Sequence, residues 1–162
     1  SESASAERSA TLHRNAQASA GRGNLIRQSI HLMVHYPQIA DKAPDPQGIA
    51  ALDRPGIPLL LELLQSLREQ PCATTGALLE RWRQRPDVEH LSKLAALECH
   101  IPDATGAAKE LAGAIRHLAD EGAFVRREQL LSKHARQGLD EAEKAELQAL
   151  LRARAPDQAP AT

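Results

Sequence analysis

The stretch TGAAKELAGAIRHLADEGAFVRREQLLSKHARQ, residues 105–137, carries one long and mainly apolar repeat. Its positions alternate in steps of four and three residues, and they are Leu111, Ile115, Leu118, Gly122, Val125 and Gln129. This spacing is typical of a helix that packs along other helices. A helix of roughly thirty residues, at ~1.5 Å per residue, is longer than a small bundle can cover. The pattern therefore predicts that the second half of this helix projects from the bundle.

Two glycines divide this end of the chain. Gly122 lies in mid-helix, where glycine costs roughly 1 kcal/mol relative to alanine, and we expect a hinge or kink there. Gly138 is expected to end the long helix. Asp140 and Glu143 then have the spacing of a capping box for a last helix over residues 141–154. The sequence thus predicts a C-terminal helical hairpin.

The last helix carries two neighbouring stripes. One consists of alanines and the other of leucines, with two arginines alongside: Ala142, Ala145, Ala149; Leu147, Leu150, Leu151; Arg152, Arg154. If the alanines pack on the 130–134 region, the leucines face outward and suit docking in a groove of another protein. Alternatively, the leucines hold the hairpin shut, and periodicity alone leaves both open. Arg126 and Arg127 are expected on a solvated face.

The rest of the chain predicts an all-α protein. Aromatic residues make up only 2% of the sequence, while the strong helix formers Ala and Leu are abundant. Caps and prolines delimit four earlier helices, at residues 24–36, 58–70, 76–85 and 88–100, and Trp82 is expected in their core. The predicted organisation is a disordered linker (1–23), a helical bundle (24–120), the long-helix end plus hairpin (121–155) and a tail (156–162).

Charge and motifs argue against several functions. The formal net charge is −1, whereas a dedicated nucleic-acid binder usually carries a basic excess. There is no P-loop, dinucleotide fingerprint or nucleophile elbow. His31 and His35 lie four residues apart on a polar helix side, without obvious further ligands, so no metal site is expected. We expect no cofactor, no membrane contact and a monomer. Cys72 and Cys99 are expected to be free thiols, and the alternative is one structural disulfide between them.

Five segments occur in an order that resembles a known family. They are LIRQSIHLMVHYPQIA (25–40), PGIPLLLELLQSL (55–67), QPCATTGALLERWR (70–83), HLSKLAAL (90–97) and SKHARQGLDEAEKAELQALL (132–151). Together they resemble the C-terminal domain of bacterial DNA primase (DnaG). The similarity covers about residues 24–154, and the ordered series is more specific than any single segment.

This resemblance implies both a fold and a role. The fold would be a helical bundle joined by a long helix to a terminal hairpin, resembling the N-terminal domain of the replicative helicase. The chain would be a non-catalytic part of a primase that docks on the helicase DnaB at the cytoplasmic replication fork and couples primer synthesis to unwinding. The implied helicase-binding residues are Leu147, Leu150, Leu151, Arg152 and Arg154. The alternative is a small helical nucleic-acid-binding domain.

The resemblance also implies a second partner, the acidic C-terminal tail of single-stranded DNA-binding protein. The matching positions are Arg22, Leu25, Ile26, Arg27, Ile30, Lys93 and Leu94. An acidic peptide that ends in an aromatic residue needs cations beside an apolar slot, and these residue types can supply both. The competing interpretation is that Leu25, Ile26 and Leu94 belong to the core and the cations are only solvated.

Overall fold

A computed structural model describes residues 25–154, and this part of the chain contains helices and no strands. Helix α1 spans residues 25–35 and is followed by two short 3₁₀ helices, Pro37–Lys42 and Ile49–Ala51. The remaining helices are α2 (Ile57–Glu69), α3 (Thr75–Arg81), α4 (Val88–Ala96), α5 (Ala104–Gln137) and α6 (Glu141–Arg154). The all-α prediction is confirmed. The predicted linker 1–23 and tail 156–162 lie outside the described residues.

The core is a mainly aliphatic cluster to which α1 to α4, both 3₁₀ helices and the first half of α5 contribute. Its fully buried members include Met33, Leu60, Leu63, Leu64, Leu111, Ile115 and Leu118. Trp82 is 1% exposed, as predicted, with the guanidinium of Arg85 4.0 Å from its ring centre. The bundle therefore has its own core, independent of the C-terminal hairpin.

Capping interactions are formed at three helix starts and one helix end. The side chains of Thr74 and Asp103 accept hydrogen bonds from backbone N–H groups in the first turns of α3 and α5. At the start of α6, the Glu143 N–H donates to Asp140 Oδ1 (2.7 Å) and the Asp140 N–H donates to Glu143 Oε1 (3.2 Å). This reciprocal pair is the predicted capping box. Gly138, with φ of 81°, ends α5.

Helix α5 is continuous over 34 residues, or ~51 Å at the usual rise. Val125 is the last residue of α5 that packs against the core cluster, and Leu130 is buried outside that cluster. Helix α5 contacts both 3₁₀ helices and α6. The loop before the second 3₁₀ helix meets it at residues 119–123, and α6 pairs with it at Arg126 and Lys133. Gln129, the last position of the predicted repeat, is exposed. The prediction that its far half projects from the bundle is confirmed.

Gly122 has a packing role that differs from the expected hinge or kink. Gly122 is buried, and the backbone carbonyl of Gly48 lies where its Cβ would be. Gly48 itself has φ of 96°, and a Cβ there would stand 3.0 Å from the Ala119 carbonyl oxygen. The loop before the second 3₁₀ helix therefore crosses α5 backbone to backbone. Gly122 is a close-packing position, and the helix continues through it.

We predict opposite effects for alanine at two glycines of α5. Gly122→Ala should destabilise the bundle by about 1–3 kcal/mol, because the added methyl overlaps the Gly48 carbonyl. Gly113→Ala, at an exposed position with open space around it, should stabilise by roughly 0.5–1 kcal/mol. Urea unfolding followed by circular dichroism measures both. Equal effects of the two substitutions would contradict the close-packing role of Gly122.

Candidate docking surface on the terminal hairpin

Two ion pairs connect α6 to α5. The Arg126 guanidinium donates from Nε and Nη2 to the two carboxylate oxygens of Glu146, at 2.7 and 3.0 Å. Lys133 Nζ donates to Glu143 Oε2 at 2.7 Å. The hydrogen bond from Arg126 holds the pKa of Glu146 below its ordinary value, and the hydrogen bond from Lys133 does the same for Glu143. These pairs fix the register of the hairpin.

The seam between the two helices is lined by leucines. Leu130 of α5 is buried, and Leu147 and Leu150 of α6 are half-buried. The alternative in which the alanine stripe faces α5 is wrong, because Ala142, Ala145 and Ala149 are all exposed. A leucine buries more apolar area than an alanine, so the rotation of α6 that encloses Leu147 and Leu150 is favoured. Two leucines of the stripe, Leu147 and Leu150, therefore line the seam, and the third, Leu151, is exposed on the surface.

One side of the hairpin remains apolar and exposed. Phe124, Leu131 and Leu151 are 54%, 41% and 46% exposed. At 100° per residue, Phe124 lies about 160° from Arg126 around the axis of α5. Leu131 lies at the same angle from Lys133. Around α6, Leu151 lies about 140° from Glu146. The three side chains thus share the side opposite the Arg126–Glu146 pair, and we call them the apolar flank.

Arg127 packs against Phe124, one of the three residues of the apolar flank. Its residue is 6% exposed, and its guanidinium lies 5.0 Å from the ring centre of Phe124. The expectation of a solvated face is therefore wrong for Arg127, whereas the paired side chain of Arg126 is still 37% exposed. A single sequence cannot reveal this, because Arg126 finds its partner twenty residues away and Arg127 is buried beneath an aromatic ring.

Phe124 also borders a groove where α5 leaves the bundle. This junction groove has a volume of about 410 Å³ and is lined by Leu52, Arg54, His117, Asp120, Glu121, Phe124 and Val125. His117 Nε2 lies 3.1 Å from Glu121 Oε1 across one helical turn. This groove is not predictable from the sequence, because Leu52 and Arg54 reach it from a distant loop.

A second groove, of about 370 Å³, separates α1 from the chain after α4. Its lining consists of Arg27, Gln28, His31, Leu32, Leu94, Leu97, Cys99, His100 and Ile101. The ring nitrogens Nε2 of His31 and His35 both lie within hydrogen-bond distance of the Leu97 carbonyl oxygen, at 3.3 and 2.9 Å. Partial burial lowers the pKa of His31. Helix α4 was predicted to extend to residue 100, but it ends at Ala96. The two histidines contact the carbonyl of the next residue, Leu97.

The residues predicted to bind an acidic tail divide into two groups. Ile26, Ile30 and Leu94 are buried in the core and Leu25 is half-buried against it, as the competing interpretation expected. Arg27 and Lys93 are exposed. Arg22 lies outside the described residues. Among these residues, only Arg27 and Leu94 line the α1–α4 groove.

Two structural features are absent from residues 25–154. In this range no three His, Cys, Asp or Glu side chains come together in a way that could hold a metal ion. None of its helices combines the length and apolar character that crossing a membrane requires. Cys72 and Cys99 are free thiols, as predicted.

Comparison with known proteins identifies the family. The family model described as DNA primase DnaG DnaB-binding matches residues 26–150. The chain belongs to this family. The match covers the bundle and nearly all of the hairpin, so the DnaB-binding family includes both parts.

Individual relatives agree with this assignment. The chain is 33% identical over 129 residues to a DNA primase of Legionella pneumophila, covering 80% of the chain and 22% of the relative. It is 32% identical over 122 residues to that of Salmonella typhimurium, covering 75% and 21%. A solved DnaG primase C-terminal domain from Vibrio cholerae superposes with a TM-score of 0.68 at 30% identity, covering 78% of this chain and 96% of that one. The chain thus spans about a fifth of the length of its curated relatives.

The family is named for binding DnaB, the partner that the resemblance implied. Of the predicted helicase-binding residues, Leu147 and Leu150 line the seam, Leu151 is on the apolar flank and Arg152 is exposed. The side chain of Arg154 is not described. Sequence reasoning missed Phe124 and Leu131, although their seven-residue spacing on one helix is a signal for a shared face.

The hairpin ion pairs predict a pH dependence. Because the pKa values of Glu143 and Glu146 lie below 4.5 in the folded hairpin, the pairs stabilise it above that pH. This stabilisation is lost as the pH falls through the lowered values. Arg126→Met should raise the pKa of Glu146 toward 4.5, as measured by NMR titration of the side-chain carboxyl. Arg136→Met, a control on the same helix, should leave the Glu146 titration unchanged.

Proposed function

We propose that this chain docks a primase on the helicase DnaB through the terminal hairpin, so that primer synthesis is coupled to unwinding at the replication fork. The observation that carries the proposal is the apolar flank of Phe124, Leu131 and Leu151, on a domain whose family is named for DnaB binding. The same role was expected from the order of the sequence segments.

The physical basis is the apolar surface that the hairpin leaves exposed. Two helices can bury one stripe each against the other, and here Leu130, Leu147 and Leu150 fill the seam. Burying a large aliphatic or aromatic side chain contributes about 1.5–3 kcal/mol, so three exposed side chains on one flank favour a second protein surface. Arg152 is exposed on α6 and would lie at the polar rim of such an interface.

The ion pairs contribute to docking by fixing the flank before binding. Arg126–Glu146 and Lys133–Glu143 hold the register of α6 on α5, and Arg127 fixes the ring of Phe124 from below. A surface that is ordered before it binds loses less conformational entropy on association. The hairpin thus presents a preorganised face to the helicase.

We predict that removal of residues 139–162 abolishes DnaB binding and leaves the bundle folded, because the core lies upstream of Leu130. Leu151→Asp in the full chain should weaken the complex about tenfold or more, since it places a charge in the interface centre. Ala149→Asp is the matched control, because Ala149 is exposed on the same helix away from the flank. Isothermal titration with purified DnaB measures affinity, and circular dichroism measures folding. Undiminished binding by the truncated chain would overturn the proposal.

We infer a second docking site, for the acidic tail of single-stranded DNA-binding protein, beside α1 and α4. Its support is the α1–α4 groove, where Arg27 and the imidazoles of His31 and His100 line an apolar floor of Leu94, Leu97 and Ile101. No carboxylate is among the residues that line it. An anionic peptide with an apolar end matches this chemistry. Lys93 is exposed beside Leu94 and adds a cation.

For this second site, Arg27→Glu and Lys93→Glu should each weaken tail binding several-fold, because a repulsive charge replaces an attractive one. Lys42→Glu, at an exposed position on the first 3₁₀ helix, serves as the control. Fluorescence anisotropy of a labelled tail peptide, measured at two salt concentrations, gives the affinities. Binding that responds equally to all three substitutions would indicate general charge attraction and contradict the site.

A further inference from the structure

The junction groove and the apolar flank meet at one residue. Phe124 belongs to the exposed flank and also lines the groove together with Leu52 and Val125. On the other side of the groove, Leu52 is 4% exposed and belongs to the bundle core. The two features therefore form one surface that runs from the hairpin onto the bundle.

Helical spacing aligns this surface with α5. His117, Phe124 and Leu131 are separated by seven residues each, so they lie within about 40° of one another around the axis and span about 21 Å along it. His117 lines the groove, Phe124 lies at its border and Leu131 is on the flank. An elongated partner element, such as a helix, could contact all three.

The groove itself has the composition of a pocket for one side chain. Its apolar residues are Leu52, Phe124 and Val125, and its polar ones are Arg54, His117, Asp120 and Glu121. The charged members include one guanidinium and two carboxylates, so the groove does not select strongly for a charged ligand. A pocket that combines aromatic and aliphatic side chains with a few polar ones is typical of anchor sites in protein interfaces.

We propose that the junction groove receives an apolar side chain from a helix of DnaB, so that the helicase contacts the hairpin and the bundle at the same time. This proposal rests on the docking function proposed above. It is supported by the continuity of the groove with the apolar flank and by the family match, which spans both sides of the groove. Contact on both sides of the junction would let the helicase fix the bundle relative to the hairpin.

The first test is a pair of substitutions on α5 in the full chain. Phe124→Ala should raise the Kd for purified DnaB about tenfold or more, as truncation of a central interface aromatic does. Gln129→Ala, at an exposed position on the opposite side of the same helix, should leave the Kd unchanged. Phe124→Leu should retain most of the affinity. An unchanged Kd for Phe124→Ala, with Leu151→Asp still defective, would overturn the groove proposal and leave hairpin docking intact.

The second test distinguishes the groove from the flank. Cross-saturation NMR, with a deuterated methyl-labelled chain and protonated DnaB, reports which methyl groups lie near the helicase. Leu52 and Val125 should lose intensity together with Leu151, whereas Leu97, exposed beside the α1–α4 groove, should not. Saturation of Leu151 without Leu52 or Val125 would overturn the groove proposal. Saturation of none of the three would overturn hairpin docking as well.

Discussion

The architecture depends on the close crossing of two backbones at Gly122. The Gly48 carbonyl occupies the space that a side chain at position 122 would need, which brings the loop before the second 3₁₀ helix directly onto α5. This contact fixes how much of α5 belongs to the bundle. The bundle covers the helix up to about Val125, and the remaining turns are left for α6. The hairpin therefore begins where the crossing ends.

The hairpin separates its polar and apolar contacts between different sides. The bidentate Arg126–Glu146 pair lies on one side, the leucines fill the seam, and Phe124, Leu131 and Leu151 face outward on the other side. Partly exposed ion pairs contribute little stability, but their geometry sets register and orientation. Leucine burial supplies the stability of the seam, and the ion pairs determine which apolar residues remain on the surface.

The bundle contributes a second kind of surface. Its α1–α4 groove combines basic and imidazole side chains with an apolar floor, whereas the junction groove near Phe124 has mixed charge. The two grooves lie at different places on the bundle, since they share no lining residue. In the proposals made above, the hairpin and its junction serve one partner and the α1–α4 groove serves the other.

Sequence and tertiary structure determined different parts of this protein. Local propensity, periodicity and capping predict the helical class, the length of α5, its end at Gly138 and the capping box of α6. The structure agrees with each of these predictions. The order of the segments also indicated the family. The role of Gly122, the rotation of α6 and the burial of Arg127 were not predictable, because each depends on a residue from another element. A stripe on a helix shows which side chains lie together, but only packing against the neighbouring chain decides which stripe is buried.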